Sequence, residues 1–170
     1  MRIFSILYLS ALILVGCGKE RDKQESSPAR TSDRPLAPAF SLEALDGYTV
    51  TSESLKGKVV ILDFWATWCP PCRAEVPSFV ELYERYKDKG LRIVGVALDS
   101  EDRVREFVRR FGVDYPVEVD RGGEIARRFG GVRGIPTTFV LDKEGRVYRK
   151  YVGYREKSVF ERDIKKLLEE

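Results

Sequence analysis

The sequence predicts a single α/β domain with a mixed central sheet flanked by helices. Its 170 residues are a usual length for one domain, and 43% hydrophobic residues are enough to bury a core. Segments with strand and helix patterns alternate through most of the chain, which favours parallel strand pairing. Two strands joined by a tight turn precede the last helix and must pair antiparallel. Both kinds of pairing together predict a mixed sheet.

The first 16 residues are predicted to be a signal peptide that is removed. Arg2 precedes an apolar run over 3–15, which is too short for a membrane span of about 20 residues. The run ends at Gly16-Cys17, which resembles the bacterial lipoprotein box, where cleavage before the cysteine accompanies attachment of lipid to its sulfur. We therefore expect a lipidated Cys17 and export of the remaining chain. The alternative is an uncleaved N-terminal anchor with an incidental cysteine.

Residues 17–35 are predicted to form the lipidated N-terminus and a flexible tether. Charges of both signs and the run Ser26-Ser27-Pro28 fill this stretch, which has no apolar periodicity. The folded domain is assigned to 36–170.

The domain is predicted to begin with a β-hairpin and a buried strand. Segments 40–42 and 48–50 lie on either side of Asp46-Gly47, a common turn pair. The nearly continuous apolar run over 58–64 is typical of a central strand buried on both faces. A long helix should follow over about 70–89, since its apolar residues recur at i, i+3, i+4 and i+7.

The rest of the domain alternates in the same way. The predicted elements are strand 92–98, a helix from about 101, strand 117–119, helix 125–129, strands 137–141 and 146–152, and a final helix. Ser158 and Glu161 resemble a capping box and predict where that last helix begins.

The composition excludes several classes of function. The chain has no histidine, so Ser-His-Asp and Cys-His nucleophile systems and histidine metal sites are excluded. The 30 Lys and Arg residues against 27 Asp and Glu are evenly spread, and they form no basic face for nucleic acid. Catalysis must therefore rest on Cys, Lys, Tyr or carboxylate groups.

Cys69 and Cys72 are predicted to be a redox-active pair. Zinc needs four ligands, and neither histidine nor another cysteine is available once Cys17 is lipidated. A purely structural disulfide across so short a loop would gain little from chain entropy. Dithiol chemistry remains, and we expect neither a metal nor a cofactor beyond the pair itself.

The position of the pair predicts its mechanism. If Cys69 caps the helix, free N–H groups and the helix dipole should lower the pKa of its thiol. Cys72 lies one turn further on, so Cys69 should attack a partner and Cys72 should resolve the mixed disulfide. Pro70 and Pro71 have no N–H, which leaves the N–H of Cys72 as the nearby backbone donor and predicts a comparatively reducing couple.

Two motifs resemble thioredoxin-fold proteins, and the exported, membrane-anchored TlpA/ResA/CcmG-like branch is the most similar. The first is segment 60–77, which contains Trp68-Cys69-Pro70-Pro71-Cys72. The second is segment 134–139, Gly-Ile-Pro-Thr-Thr-Phe, similar to the family loop whose proline is cis and lies against the dithiol. The resemblance covers about 36–170, including the hairpin and a helix-strand insert around 101–119. It implies a thioredoxin-like fold.

The resemblance also implies substrate-binding residues. Pro136 would shape a groove, and Ile135 would offer its backbone groups to an extended partner peptide. Trp68 would flank the dithiol. The alternative for Trp68 is a partly buried aromatic with no further role.

Asp63 matches the buried aspartate that assists proton transfer at the inner cysteine of thioredoxin. In so apolar a strand its pKa should be raised, and it could accept the Cys72 proton. The alternative is a strand-end carboxylate bonded to a backbone partner. Glu75 matches a position that is often acidic in this branch, and the alternative is a carboxylate that suits the helix dipole without any function. The sequence does not identify which of Asp99 and Glu101, if either, faces the dithiol, and the alternative is a solvated turn.

The resemblance implies a monomeric thiol-disulfide oxidoreductase outside the cytoplasm, held to a membrane by lipid. Its expected task is to reduce disulfides in exported proteins, above all the haem-binding thiols of apocytochrome c, with a membrane dithiol protein as electron donor. One alternative is a peroxiredoxin-like peroxidase, although that family has threonine and proline where Ala66 and Leu62 stand. Another is a non-catalytic binding module, which would tolerate loss of either cysteine.

Overall fold

The computed structural model describes residues 31–170, which form a two-stranded sheet, a five-stranded sheet and four α-helices. The strands are β1 (Ser41–Glu43), β2 (Thr49–Thr51), β3 (Val59–Trp65), β4 (Leu91–Ala97), β5 (Val117–Val119), β6 (Thr137–Leu141) and β7 (Val147–Val152). The helices are α1 (Pro70–Tyr86), α2 (Glu101–Phe111), α3 (Glu124–Arg128) and α4 (Lys157–Glu169), with short 3-10 helices at Thr31–Asp33 and Lys87–Lys89. Within this part of the chain, no helix combines the length and apolarity that crossing a membrane requires.

The large sheet is mixed, as predicted, with the strand order β5-β4-β3-β6-β7. β3 pairs parallel with β4, and β4 pairs parallel with β5. β6 pairs antiparallel with β3, and Phe64 lies opposite Thr137. Because of this register, the start of β6 lies beside the end of β3, and the residues before Thr137 lie next to the residues that follow β3.

β3 is buried along its whole length, as expected of a central strand. Side chains alternate between the two faces of a strand. Val60, Leu62 and Phe64 pack into a core with the hairpin and α3. Ile61 and Trp65 pack on the opposite face, in the core that contains the buried side chains of α1 and α4. Asp63 occupies the same alternation as Ile61 and Trp65, and therefore lies on the face that α1 covers.

The tether predicted for 17–35 does not extend to residue 35, because Arg34 belongs to the folded domain. Its guanidinium is buried and donates hydrogen bonds to Asp142 Oδ2 at 2.9 Å and to both carboxylate oxygens of Glu170. The next residue, Pro35, accepts a 2.8 Å bond from the N–H of Val147 at the edge of β7. The signal peptide over 1–16, Cys17 and most of the tether lie outside the described residues.

The predicted capping box of the last helix is wrong. α4 begins at Lys157, so Ser158 lies inside the helix, and no side chain caps it. Glu161 instead accepts hydrogen bonds from Arg85 Nη1 at 2.9 Å and from the hydroxyl of Tyr86 at 2.7 Å. Contacts with α1 therefore replace the local contact that the sequence pattern suggested.

Candidate active site

The loop between β3 and α1 is held by a carboxylate at the end of the neighbouring parallel strand. Asp99 follows β4, and its Oδ2 accepts bonds from the backbone N–H of Thr67, at 3.2 Å, and from the Thr67 hydroxyl. Its Oδ1 accepts the N–H of Ser100 at 2.7 Å. Burial opposes the charged form, but these hydrogen bonds outweigh it and lower the pKa of Asp99. Asp99 therefore fixes the loop that leads to Cys69.

Glu101, the other acidic residue of this turn, has a different environment. It pairs with Arg105 and Arg121 on the protein surface. Of the two, Asp99 is the one bonded to the loop that leads to Cys69.

Cys69 caps α1, as predicted. The N–H of Cys72 lies 3.3 Å from the Cys69 sulfur, and Pro70 and Pro71 fill the first two helical positions. Because proline has no N–H, the backbone donor to this sulfur is the one that the sequence identified. The two cysteines are joined in a disulfide, and both are buried. The structure thus represents the oxidised form of the pair.

The second motif lies against the disulfide. The Ile135–Pro136 peptide bond is cis, and the Ile135 carbonyl oxygen lies 3.7 Å from the Cys69 sulfur. The carbonyl of Pro136 accepts a 2.8 Å bond from the N–H of Gly153, which follows β7. The antiparallel pairing of β6 with β3 brings these residues together although 66 positions separate Ile135 from Cys69.

Trp68 is exposed over 61% of its surface beside Cys69. The side chain is therefore accessible to a partner that approaches Cys69. Two further exposed apolar residues, Val152 and Tyr154, lie on either side of Gly153. Neither residue could be identified from the sequence, because exposure at the end of a strand does not alter the apolar pattern.

Asp63 is fully buried, and its bonding partner is a side chain rather than the backbone. The hydroxyl of Thr138, which lies opposite it on β6, donates a 3.0 Å bond to Oδ1. Burial and the charge of Glu75 raise the pKa of Asp63 well above its usual value, and the bond from Thr138 opposes this only in part. The raised pKa is the one predicted, and it makes Asp63 a stronger base than a solvated aspartate.

Glu75, whose role the sequence left open, is buried. Only 1% of it is exposed, and its Oε1 accepts the backbone N–H of Arg155 at 2.9 Å. Its Oε2 is buried with no hydrogen-bond partner among the described residues. Burial raises the pKa of Glu75 to about 7, although the bond from Arg155 lowers it.

A sequence signal for Glu75 existed. The buried residues of α1 form one stripe, and Glu75 lies on it, three positions after Cys72 and four before Phe79. A carboxylate within an apolar stripe is a candidate for a perturbed pKa.

Comparison with known proteins agrees with this geometry. The sequence model described as the AhpC/TSA family matches residues 35–150. The chain belongs to the AhpC/TSA family. Its fold is thioredoxin-like, with the mixed sheet and flanking helices that the sequence predicted.

The relatives also show the activity. The thiol-disulfide oxidoreductase ResA of Bacillus anthracis is 40% identical over 132 residues, which cover 77% of this chain and 76% of that protein. A thioredoxin-family thiol:disulfide interchange protein of Chlorobium tepidum is 39% identical, with a TM-score of 0.74, 84% of this chain covered and 99% of that one. A secreted thiol-disulfide isomerase of Corynebacterium glutamicum is 28% identical, with a TM-score of 0.79, 88% of this chain covered and 95% of that one. The chain is a thiol-disulfide oxidoreductase whose redox centre is Cys69 and Cys72.

The oxidoreductase centre combines four parts from distant segments: the capped cysteine pair, the cis-proline loop, the Asp99 bond to the active-site loop and two buried carboxylates. Over residues 31–170, no three Cys, Asp or Glu side chains converge as metal ligands would. The groups present are those that thiol-disulfide exchange uses, namely a nucleophilic sulfur at a helix N-terminus, a second sulfur within reach and bases with raised pKa values.

Proposed function

We propose that this oxidoreductase reduces disulfides in exported proteins and that the haem-binding cysteines of apocytochrome c are its principal substrate. The observation that carries the reducing direction is the cap of α1. A single backbone N–H reaches the Cys69 sulfur, because Pro70 and Pro71 provide none. A thiolate with fewer donors is less stabilised, which favours the disulfide form of the protein and makes its dithiol the better reductant.

The reaction transfers two electrons from the protein to its partner. The Cys69 thiolate attacks one sulfur of a partner disulfide, and the other partner sulfur leaves as a thiolate and takes up a proton. Cys72 then loses its proton and attacks the Cys69 sulfur, which releases the second partner thiol. The products are a partner dithiol and the Cys69–Cys72 disulfide, the state seen in the structure.

We assign the proton of Cys72 to Asp63. Asp63 lies on the face of β3 that α1 covers, and Cys72 belongs to the core on that face. A carboxylate with a pKa well above its usual value accepts a thiol proton more readily than a solvated one. Glu75, also buried and with a pKa of about 7, strengthens this effect through its charge.

The partner peptide is proposed to bind across Trp68, Ile135 and Pro136. Support comes from the exposure of Trp68 and from the Ile135 carbonyl 3.7 Å from the attacking sulfur. An extended segment that pairs with the Ile135 backbone would carry its disulfide to Cys69. No cofactor besides the cysteine pair is needed for this exchange.

We further propose that the protein is a monomer, lies outside the cytoplasm and is held to a membrane by lipid on Cys17. A Corynebacterium glutamicum neighbour described as secreted supports the location. The position of Arg34 supports a tether that starts away from the dithiol. Arg34 pairs with Asp142, which follows the end of β6, whereas Pro136, beside the dithiol, precedes the start of β6. Five strand residues span about 17 Å, so the dithiol lies at the far end of the sheet from the tether. A membrane dithiol protein would restore the reduced form.

Trapping partners tests this proposal. Cys72→Ser should accumulate mixed disulfides through Cys69, and mass spectrometry should identify apocytochrome c among them. The matched control Cys69→Ser should trap none. Recovery of other exported proteins without apocytochrome c would defeat the substrate assignment and leave the chemistry intact.

Two further measurements test the direction and the alternatives. A reduction potential as high as about −120 mV would contradict the reducing role. Rapid peroxide consumption by Cys72→Ser would favour the peroxidase, and full activity of Cys69→Ser would favour a binding module.

A further inference from the structure

We propose that the surface around the dithiol selects partner segments with acidic residues close to the reacting cysteines. The inference rests on the proposed exchange with protein partners, but not on its direction. It is carried by an apolar patch and by two arginines at the same edge of the domain that form no ion pair with the residues that the structure describes.

The apolar patch consists of Trp68, Val152 and Tyr154. Residues 31–170 expose five large hydrophobic side chains, and these are three of them. Trp68 precedes Cys69, and Val152 pairs with Thr137, which follows the cis-proline. Three exposed apolar side chains at one edge of the domain indicate a surface that a partner covers.

The two arginines lie beside this patch. Arg73 directly follows Cys72, and Arg133 lies two residues before Ile135, whose carbonyl contacts the Cys69 sulfur. Two residues of chain span at most about 7 Å, so the backbone of Arg133 stays close to the dithiol. Both arginines are exposed, and neither forms an ion pair within residues 31–170. Many other arginines of the domain do, as Arg105 and Arg128 illustrate.

The acidic groups of this region do not cancel the two positive charges. Asp63 and Glu75 are buried. The charge of Asp99 is opposed by that of Arg103, whose Nη1 lies 4.0 Å from Asp99 Oδ1. Glu156 is exposed, but Arg155 is next to it in the chain. The rim of the dithiol is therefore positively charged.

This arrangement fits a partner of definite chemistry. Apolar side chains beside the partner's cysteine would cover the patch, and Asp or Glu residues nearby would bind the arginines through paired N–H bonds. Opposite charge also steers the encounter, so the main effect should be on the rate of association.

Three synthetic peptides test the proposal. Each contains the same internal disulfide, with glutamate, glutamine or lysine on both sides of it. At low ionic strength, the reduced protein should react with the glutamate peptide about tenfold faster than with the lysine peptide. The ratio should approach one at about 1 M salt, because salt screens exposed charges.

Variants identify the residues that produce the preference. The double substitution Arg73→Glu and Arg133→Glu should reverse the order of the two charged peptides. The matched control Arg109→Glu removes an exposed arginine on α2 and should keep the original ratio. Because each ratio compares two peptides with one protein, a change in the reactivity of Cys69 cancels.

The same ratios should be measured with oxidised protein and the peptide dithiols. Equal rates for all three peptides in both directions, or an unchanged ratio in the double variant, would overturn the inference without affecting the proposed reductase. A preference for the glutamate peptide with an equilibrium that favours peptide oxidation would defeat the reductase and support the inference.

Discussion

The backbone N–H of Arg155 donates a 2.9 Å hydrogen bond to Oε1 of Glu75. This contact joins the segment after β7 to the first half of α1. The other carboxylate oxygen of Glu75 is buried without a partner within residues 31–170. A carboxylate in this position resists ionisation, and the consequence can be measured as an effect of pH on stability.

Glu75 should make the protein less stable as pH rises. Its pKa is about 7 in the folded state against 4.5 when unfolded, so between these values the folded state holds a proton that the unfolded state has lost. The free energy of unfolding should therefore fall from about pH 4.5 until the pH passes 7, by about 3 kcal/mol from this residue. Glu75→Gln keeps the acceptor for Arg155 but cannot ionise. Urea unfolding at several pH values should show a flatter profile for this variant, and parallel profiles would contradict the account.

Asp63→Asn should slow the step in which Cys72 resolves a mixed disulfide. The amide can still accept the bond from Thr138 but cannot take a proton, and loss of a general base costs about 100-fold or more in rate. Stopped-flow measurement of resolution between pH 6 and about 9 would show the loss. The control Thr138→Val removes a hydrogen bond that stabilises the charged form of Asp63 and so raises its pKa further. This variant should still resolve mixed disulfides, but the rise of its rate with pH should occur at higher pH. Equal rates for Asp63→Asn and the native protein at every pH would remove Asp63 from the mechanism.

Thr67 and Asp99 should be coupled energetically. Asp99→Ala removes the acceptor of both Thr67 bonds, and Thr67→Val removes the hydroxyl that donates one of them. A double-mutant cycle on unfolding free energies should give a coupling of about 1 kcal/mol or more. Because hydrogen bonds lower the pKa of Asp99, its stabilising effect should be present above pH 4 and decline as the carboxylate is protonated below about that pH. A coupling near zero would mean that the loop holds its shape without this contact.

Arg34→Ala should destabilise the domain by about 3 kcal/mol. The Arg34–Asp142 pair is buried on both sides, and removal of one partner leaves the other charge unpaired. Lys56→Ala is a suitable control, since the Lys56–Glu53 pair is exposed and should contribute less than about 1 kcal/mol. Chemical denaturation of both variants would provide the comparison. If both variants lost a similarly small part of the unfolding free energy, the Arg34–Asp142 pair would not stabilise the domain more than an exposed pair does.

Local patterns predicted most of the elements and the chemistry of the pair. The long helix, the central strand and the cap at Cys69 depend on neighbours in the chain, such as Pro70 and Pro71, and these agree with the structure. The capping box at Ser158 was wrong because Glu161 finds partners on α1 instead. A local pattern predicts only the hydrogen bonds that a residue can form with its neighbours in the chain, and bonds to a distant partner can replace them.

The sequence by itself determined the α/β order, the redox pair and the cap of α1 at Cys69. These follow from short motifs whose geometry is set by adjacent residues. Only the tertiary structure decided the environments of Arg34, Glu75 and Asp99. Each of these charged side chains could equally have been solvated, and its burial depends on a partner 32 to 136 positions away in the chain. For Asp99 the deciding contact is the parallel pairing of β3 with β4, because it places the residue after β4 beside Thr67 in the loop after β3.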